Sequence, residues 1–190
     1  MKKFLLIVAV AFASATYAQT EKGNWMVGSD LGLSFQSNKK VERNDGNKTS
    51  DYTTNTFRIT PNLNYFVINN LAVGLGLDYV NIKEKGASNS SNTFVIAPTA
   101  HYYFPIGGNL APFVGAKVGY AHRSEGSSDS HKWNGLAVGG KAGIAYFVNQ
   151  GAALTGYVGY DHYALTQKQD NKVKLQDGTF GVGIGVALFF

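Results

Sequence analysis

The chain has 190 residues, a formal net charge of +5, 44% hydrophobic residues and 13% aromatic residues. That charge is too weak to indicate nucleic-acid binding, and the absence of cysteine excludes disulfides, a thiol nucleophile and a thiolate metal site. The 23 glycines, 11 tyrosines and 12 phenylalanines favour β-structure in which backbones approach closely and aromatic side chains lie at borders.

Residues 1–18 have the three regions of a secretory signal peptide. Two lysines precede an apolar run from 4 to 12, and small residues follow up to Ala18. Cleavage after Ala18 starts the mature chain at residue 19, and cleavage after Ala15 is also chemically acceptable. Residues 19–190 then form one domain, in which no apolar run approaches the ~20 residues of a transmembrane helix.

Alternating apolar residues predict eight strands along the mature chain. The second, fourth and sixth connectors are tight turns, whereas the first, third, fifth and seventh are longer polar loops. This order predicts an all-β fold, an eight-stranded antiparallel up-and-down barrel with short turns at one end and longer loops at the other. The predicted strands span residues 24–36, 54–67, 71–82, 93–104, 111–123, 133–148, 152–163 and 177–190.

A hairpin motif repeats at a spacing of 37 residues. The segment 57–65 (FRITPNLNY) matches the segment 94–102 (FVIAPTAHY). Repeated hairpins bury a face when they close side by side into a barrel without edges. Because proline removes a ladder hydrogen bond, we expect a bulge or kink at Pro61 and at Pro98.

Six charged residues inside the predicted strands lie opposite the apolar phase, on a face otherwise made mostly of glycine and alanine. A water-facing sheet carries many Lys, Glu and Thr residues, whereas this composition fits the narrow lumen of an eight-stranded barrel. Buried charges destabilise a protein unless they are paired. Three acids and three bases therefore predict an ion-pair network in the lumen, with His101 as a further candidate member. The six are Asp30, Arg58, Asp78, Lys117, Lys141 and Asp161.

Large apolar residues of the same lumen phase cluster at the tight-turn end. They predict an apolar plug that, together with the ion-pair network, leaves no continuous water path through the barrel. The predicted plug residues are Met26, Phe66, Tyr103, Phe113, Phe147 and Phe189.

Aromatic residues of the outward, apolar phase lie near the strand ends, as in the two interfacial girdles of membrane barrels. A soluble core would concentrate them centrally instead. The predicted tight-turn girdle is Trp25, Tyr65, Tyr102, Tyr146 and Phe190, and the predicted loop-end girdle is Phe35, Phe57, Tyr79, Phe94, Tyr120, Tyr160 and Phe180.

The last strand alternates between an apolar face and a face of glycine and alanine, and it ends on an aromatic residue. Its apolar face consists of Phe180, Val182, Ile184, Val186, Leu188 and Phe190. This strand and the hairpins ending in Tyr-Phe resemble the small outer-membrane β-barrel proteins of Gram-negative bacteria, of the OmpA-domain and OmpX type. The resemblance implies an outer-membrane location, short periplasmic turns, longer extracellular loops, and a terminal strand that the barrel assembly machinery reads.

Two functions of different classes fit these residues. The first is a non-enzymatic barrel with a structural, membrane-integrity or surface-interaction role, whose loop cations contact lipopolysaccharide or an extracellular ligand. The loop cations are Lys39, Lys40, Arg43, Lys48, Lys83, Lys85, Arg123, Lys132, Lys168, Lys172 and Lys174.

The second is a lipid A-modifying acyl hydrolase, because His122 and Ser124 place a base and a nucleophile in one phase near the loop end, which resembles outer-membrane deacylases. A narrow porin, and a secreted lipocalin-like binder with the apolar phase turned inward, are further alternatives. We expect no enzyme activity, no metal because the histidines lack a ligand spacing, and no cofactor because no glycine cluster leads into a helix.

Overall fold

The structure, a computed structural model, describes residues 20–32, 54–84, 90–125, 132–168 and 174–190, so the predicted signal peptide lies outside it. Eight strands pair in sequence order, each antiparallel to its neighbours, and the first pairs with the last to close the barrel. The predicted fold class is thereby confirmed. The strands are β1 (Trp25–Gly32), β2 (Thr54–Ile68), β3 (Leu71–Glu84), β4 (Ser90–Tyr103), β5 (Leu110–Glu125), β6 (Lys132–Asn149), β7 (Ala152–Gln167) and β8 (Lys174–Phe189).

The strands extend further at the loop end than the sequence pattern predicts. β7 ends at Gln167 instead of residue 163, and β8 begins at Lys174 instead of residue 177. In this region both faces carry polar residues, so the alternation fades while the backbone ladder continues, as in the pairing of Thr166 with Lys174. The predicted extension of β1 to residue 36 lies outside the described residues.

Of the bulge or kink predicted at each proline, the bulge is wrong. The register of β2 against β3 is the same on either side of Pro61, and the register of β4 against β5 is the same on either side of Pro98. Each strand residue directs its N–H to one neighbour only, so a proline removes a ladder bond on one side and leaves the register unchanged. The register shifts instead lie beside tight turns, between Phe66 and Ile68 and between Phe147 and Asn149.

The large apolar side chains of one strand phase lie on the outer surface of the barrel. Leu75, Val118, Ile144 and Ile184 are exposed there, whereas the opposite phase points into the lumen. A lipocalin-like binder requires the apolar phase to face inward, so that alternative is wrong. Within the described residues, no helix is long and apolar enough to cross a membrane.

The loop-end aromatic residues form a descending series around the barrel. Tyr79 pairs with Phe94, and Tyr120 lies one outward position nearer the tight-turn end than the residue opposite Phe94. Tyr160 pairs with Gly140 of β6, and Gly140 pairs with Ala116 of β5, which lies still nearer the tight-turn end. The shift from strand to strand is expected in a barrel whose strands tilt against its axis. Residues at the same height then belong to different rows of paired residues. Phe35 of the predicted girdle lies outside the described residues.

Candidate functional site: the barrel lumen

Four of the six predicted network residues meet in the middle of the lumen. Arg58 Nη2 lies 3.0 Å from Asp78 Oδ2 and 2.5 Å from Asp161 Oδ2. Lys117 Nζ lies 2.8 Å from Asp161 Oδ1 and also contacts Asp78 Oδ2. Each cation therefore contacts both carboxylates, and the cluster of Arg58, Asp78, Lys117 and Asp161 is neutral. We call these four residues the ion-pair cluster.

A glycine on β6, between the strands of Lys117 and Asp161, makes room for the ion-pair cluster. A Cβ atom at Gly139 would lie 2.2 Å from Asp161 Oδ1 and 2.7 Å from Lys117 Cε. No side chain can occupy that position without displacing the charged groups. The glycine-rich lumen phase is thus the steric requirement for four charged side chains inside a narrow barrel.

The other predicted network members lie elsewhere. The ammonium of Lys141 lies 5.2 Å from the ring centre of Tyr157 and 5.7 Å from that of Phe113, at distances typical of cation–π contacts. His101 is buried, and its Nδ1 has no hydrogen-bond partner within the described part of the chain. The side chain of Asp30 lies outside the described part of the structure.

A polar layer separates the ion-pair cluster from the tight-turn end. Asn64 Nδ2 donates a hydrogen bond of 2.8 Å to Asn62 Oδ1, and Thr99 Oγ1 donates one of 2.7 Å to Asn64 Oδ1. A cavity of about 70 Å³ lies here, lined by residues that include Asn62, Thr99, His101 and Lys141. The cavity also touches all four residues of the ion-pair cluster.

Below the polar layer, the six predicted plug residues pack together with small alanines. All six are buried in one apolar cluster, and Phe66 is fully buried. The ring of Phe189 lies 5.2 Å from Phe147 and 6.2 Å from both Phe66 and Tyr103, and the Tyr103 hydroxyl donates to Met26 Sδ at 3.0 Å. We call this the lower apolar layer: Met26, Phe66, Tyr103, Phe113, Phe147 and Phe189.

A second apolar cluster, on the loop side of the ion-pair cluster, was not predicted from the sequence. Trp133 and Leu175 pack against it. The sequence indicates that each of its residues lies in the lumen phase of its strand. It does not indicate that they lie at one height, because that depends on the register between strands. We call this cluster the upper apolar layer: Val95, Ala97, Ala121, Ala137, Tyr163 and Leu165.

Four predicted loop cations lie inside strands of the structure, namely Lys83, Arg123, Lys132 and Lys174. Arg123 differs most from the prediction. Its side chain is buried in the lumen phase, Arg123 Nε donates to Thr93 Oγ1 at 3.0 Å, and its guanidinium lies 5.6 Å from the ring centre of Tyr163. The predicted strand ended at residue 123, so the residue was counted with the loop. Since β5 continues to Glu125, the inward phase continues as well.

The two catalytic candidates do not form a hydrogen-bonded pair in the described residues. His122 Nδ1 lies 2.6 Å from Asn134 Oδ1, and Ser124 follows one outward position further along β5, where it pairs with Lys132 in register. An asparagine oxygen carries no charge to stabilise an imidazolium, so this contact does not build an orienting acid. In the described parts of the chain, no group of three His, Asp or Glu residues is placed to hold a metal ion.

Several solved structures are similar in fold to this chain. Neisserial surface protein A shares 19% identity, with a TM-score of 0.58 over 88% of this chain and 97% of that one. The N-terminal β-barrel domain of Pseudomonas aeruginosa OprF shares 16% identity, with a TM-score of 0.54 over 89% and 98%. OprG of the same species shares 17%, with a TM-score of 0.50 over 92% and 99%. No curated protein is significantly similar in sequence.

The sequence itself matches a family model across almost its whole length. The model describes the outer membrane protein β-barrel domain, and it matches residues 4–187. The matched range contains all eight strands except the last residues of β8. The outward apolar surface and the closed antiparallel meander agree with that description. The chain belongs to the outer-membrane β-barrel protein family, and its location is the outer membrane.

Proposed function

We propose that the protein is a non-conducting barrel with a structural, membrane-integrity or surface-interaction role in the outer membrane. The observation that carries this proposal is the filling of the lumen by two apolar layers with the ion-pair cluster between them. Water and ions need a continuous polar path, and the lower apolar layer contains six large side chains in contact with one another. A narrow porin would need that layer to be open.

A test in the bacterium separates the structural role from the narrow porin. Deletion of the gene is expected to increase uptake of a hydrophobic fluorescent dye and sensitivity to large antibiotics, because the outer membrane loses an integral component. The complete chain, supplied from a plasmid, should restore both. A narrow porin predicts the opposite phenotype, namely slower uptake of small hydrophilic solutes in the deletion strain and unchanged dye uptake.

Export of the chain is part of the same proposal. Residues 1–18 act as the signal peptide, the segment from residue 19 onward is the mature barrel, and the assembly machinery reads the terminal strand through Phe180, Val182, Ile184, Val186, Leu188 and Phe190. Mass spectrometry of protein purified from outer membranes should find residue 19 at the N-terminus. Replacement of Phe190 by Ser should lower the amount of folded barrel in the membrane more strongly than the same change at Phe57, an exposed aromatic residue of β2.

Contacts outside the lumen belong to the proposed surface role. Lipopolysaccharide and other outer-membrane lipids surround the barrel, and the loops offer cations for lipid phosphates or for an extracellular ligand. Lys132 and Lys168 lie side by side at the loop end, where the Lys168 N–H donates to the Lys132 carbonyl at 2.9 Å. We propose no enzymatic activity, and unchanged lipid A acylation after Ser124→Ala is the expected result.

A further inference from the structure

The turn between β4 and β5, residues 104–109, carries exposed apolar side chains at the tight-turn end of the barrel. Phe104 is 45% exposed and Ile106 is 66% exposed. No other large apolar side chain in the described residues is as exposed as Ile106. The turn contains no charged residue. An apolar tip of this kind, beside a membrane-facing surface, indicates a contact that removes it from water.

The backbone holds this turn in a defined position. Gly107 and Gly108 have φ angles of 93° and 66°, which L-residues with a side chain rarely adopt, and they let the chain reverse directly after Ile106. The Phe104 N–H donates to the Pro112 carbonyl at 2.8 Å, and the Asn109 carbonyl accepts from the Phe147 N–H at 2.7 Å. The turn is therefore tied to both β5 and β6.

Both ends of the turn join the tight-turn girdle. On the β4 side, the rings of Tyr102 and Phe104 are 4.8 Å apart in an edge-to-face arrangement. On the β5 side, the exposed Leu110 pairs in register with Tyr146, another girdle residue. The apolar side chains of the turn thus continue the membrane-facing surface of the barrel without a break.

We propose that the 104–109 turn is an interfacial anchor that inserts Ile106 and Phe104 into the periplasmic leaflet, at the boundary between headgroups and acyl chains. The partner is a phospholipid surface, which the turn recognises by apolar area because it has no charge. The other tight turns have polar tips, at Asn69–Asn70 and at Gln150–Gly151, and their exposed apolar side chains, Ile68 and Val148, precede the tip. This inference is independent of whether the lumen conducts.

The absence of cysteine makes a spin-label test direct. The mature chain carrying Ile106→Cys is labelled with a nitroxide and refolded into phosphatidylcholine vesicles, and heat-dependent gel mobility confirms folding. Gln150→Cys, at an exposed polar turn of the same barrel end, is the matched control. We expect molecular oxygen, which concentrates in the bilayer, to relax the label at 106 more strongly than a water-soluble nickel chelate. The order should be reversed at 150.

A second labelling site covers the case in which Ile106→Cys does not fold. Phe104→Cys lies in the same turn and is expected to give the same preference for oxygen. If the folded barrel carries a label at 106 or 104 that the nickel chelate relaxes more strongly, as at 150, the turn lies in water and the anchor is overturned. Such a result would leave an aqueous partner as the occupant of this surface.

Discussion

A single glycine leaves the space that two charged side chains of the lumen occupy. Asp161 and Lys117 fill the space that a Cβ atom at Gly139 would need. At Gly156, also in a strand but on the outer surface, a Cβ atom would meet no atom within 4 Å. The two positions therefore separate the steric role of glycine from its effect on strand propensity.

The Gly139→Ala variant is expected to lose about 1–3 kcal/mol of unfolding free energy, since an added methyl group forces the ion-pair cluster apart. Gly156→Ala should differ from the parent by less than about 0.5 kcal/mol. Urea unfolding in lipid vesicles measures both. Equal losses at the two positions would contradict the steric account.

Removal of one charge from the ion-pair cluster should lower the stability of the barrel. Asp78→Asn leaves Arg58 and Lys117 with one carboxylate between them and should cost about 3–5 kcal/mol. Adding Lys117→Met to this variant leaves the Arg58–Asp161 pair, whose atoms lie 2.5 Å apart, as a neutral unit. The double variant should therefore be more stable than Asp78→Asn alone. If the second change lowers the stability further, the four charges do not act as one cluster.

Within a single strand, the sequence pattern predicts which residues face the lumen and which face outward. The two-residue period places Asp78, Lys117 and Asp161 in the lumen phase, and the structure has them there. Strand ends beyond the apolar belt were underestimated, which misassigned Arg123. The upper apolar layer was missed for a related reason. Residues such as Val95 and Leu165 come together through the register of several strands, which is not encoded in the period of any one of them.

The lower apolar layer depends on packing between distant strands, and its removal is expected to be costly. Phe66 is fully buried and its ring lies near Tyr103 and Phe189. Phe66→Ala should lower the unfolding free energy by about 3–5 kcal/mol, the range for truncating a core aromatic residue. Phe180→Ala, on the lipid-facing surface, is the control and should lose less than half as much. Equal losses would mean that Phe66 is not part of a packed layer.

For the whole molecule, the closed meander and the direction of its two faces could be predicted from alternation, connector lengths and the placement of charge. The arrangement of the lumen could be predicted only in part. The sequence separates residues that face the lumen from those that face lipid, but it does not assign partners: Lys141 lies against the rings of Phe113 and Tyr157, whereas pairing within the network was expected. Partner choice follows from side-chain reach across the barrel, which depends on strand tilt and register.

Single-channel recording shows whether the filled lumen conducts ions. The complete mature chain, refolded and shown to be heat-modifiable, is added to a planar bilayer in concentrated potassium chloride. A filled lumen should give a flat baseline with the parent protein. Regular ohmic steps from the parent protein would contradict it.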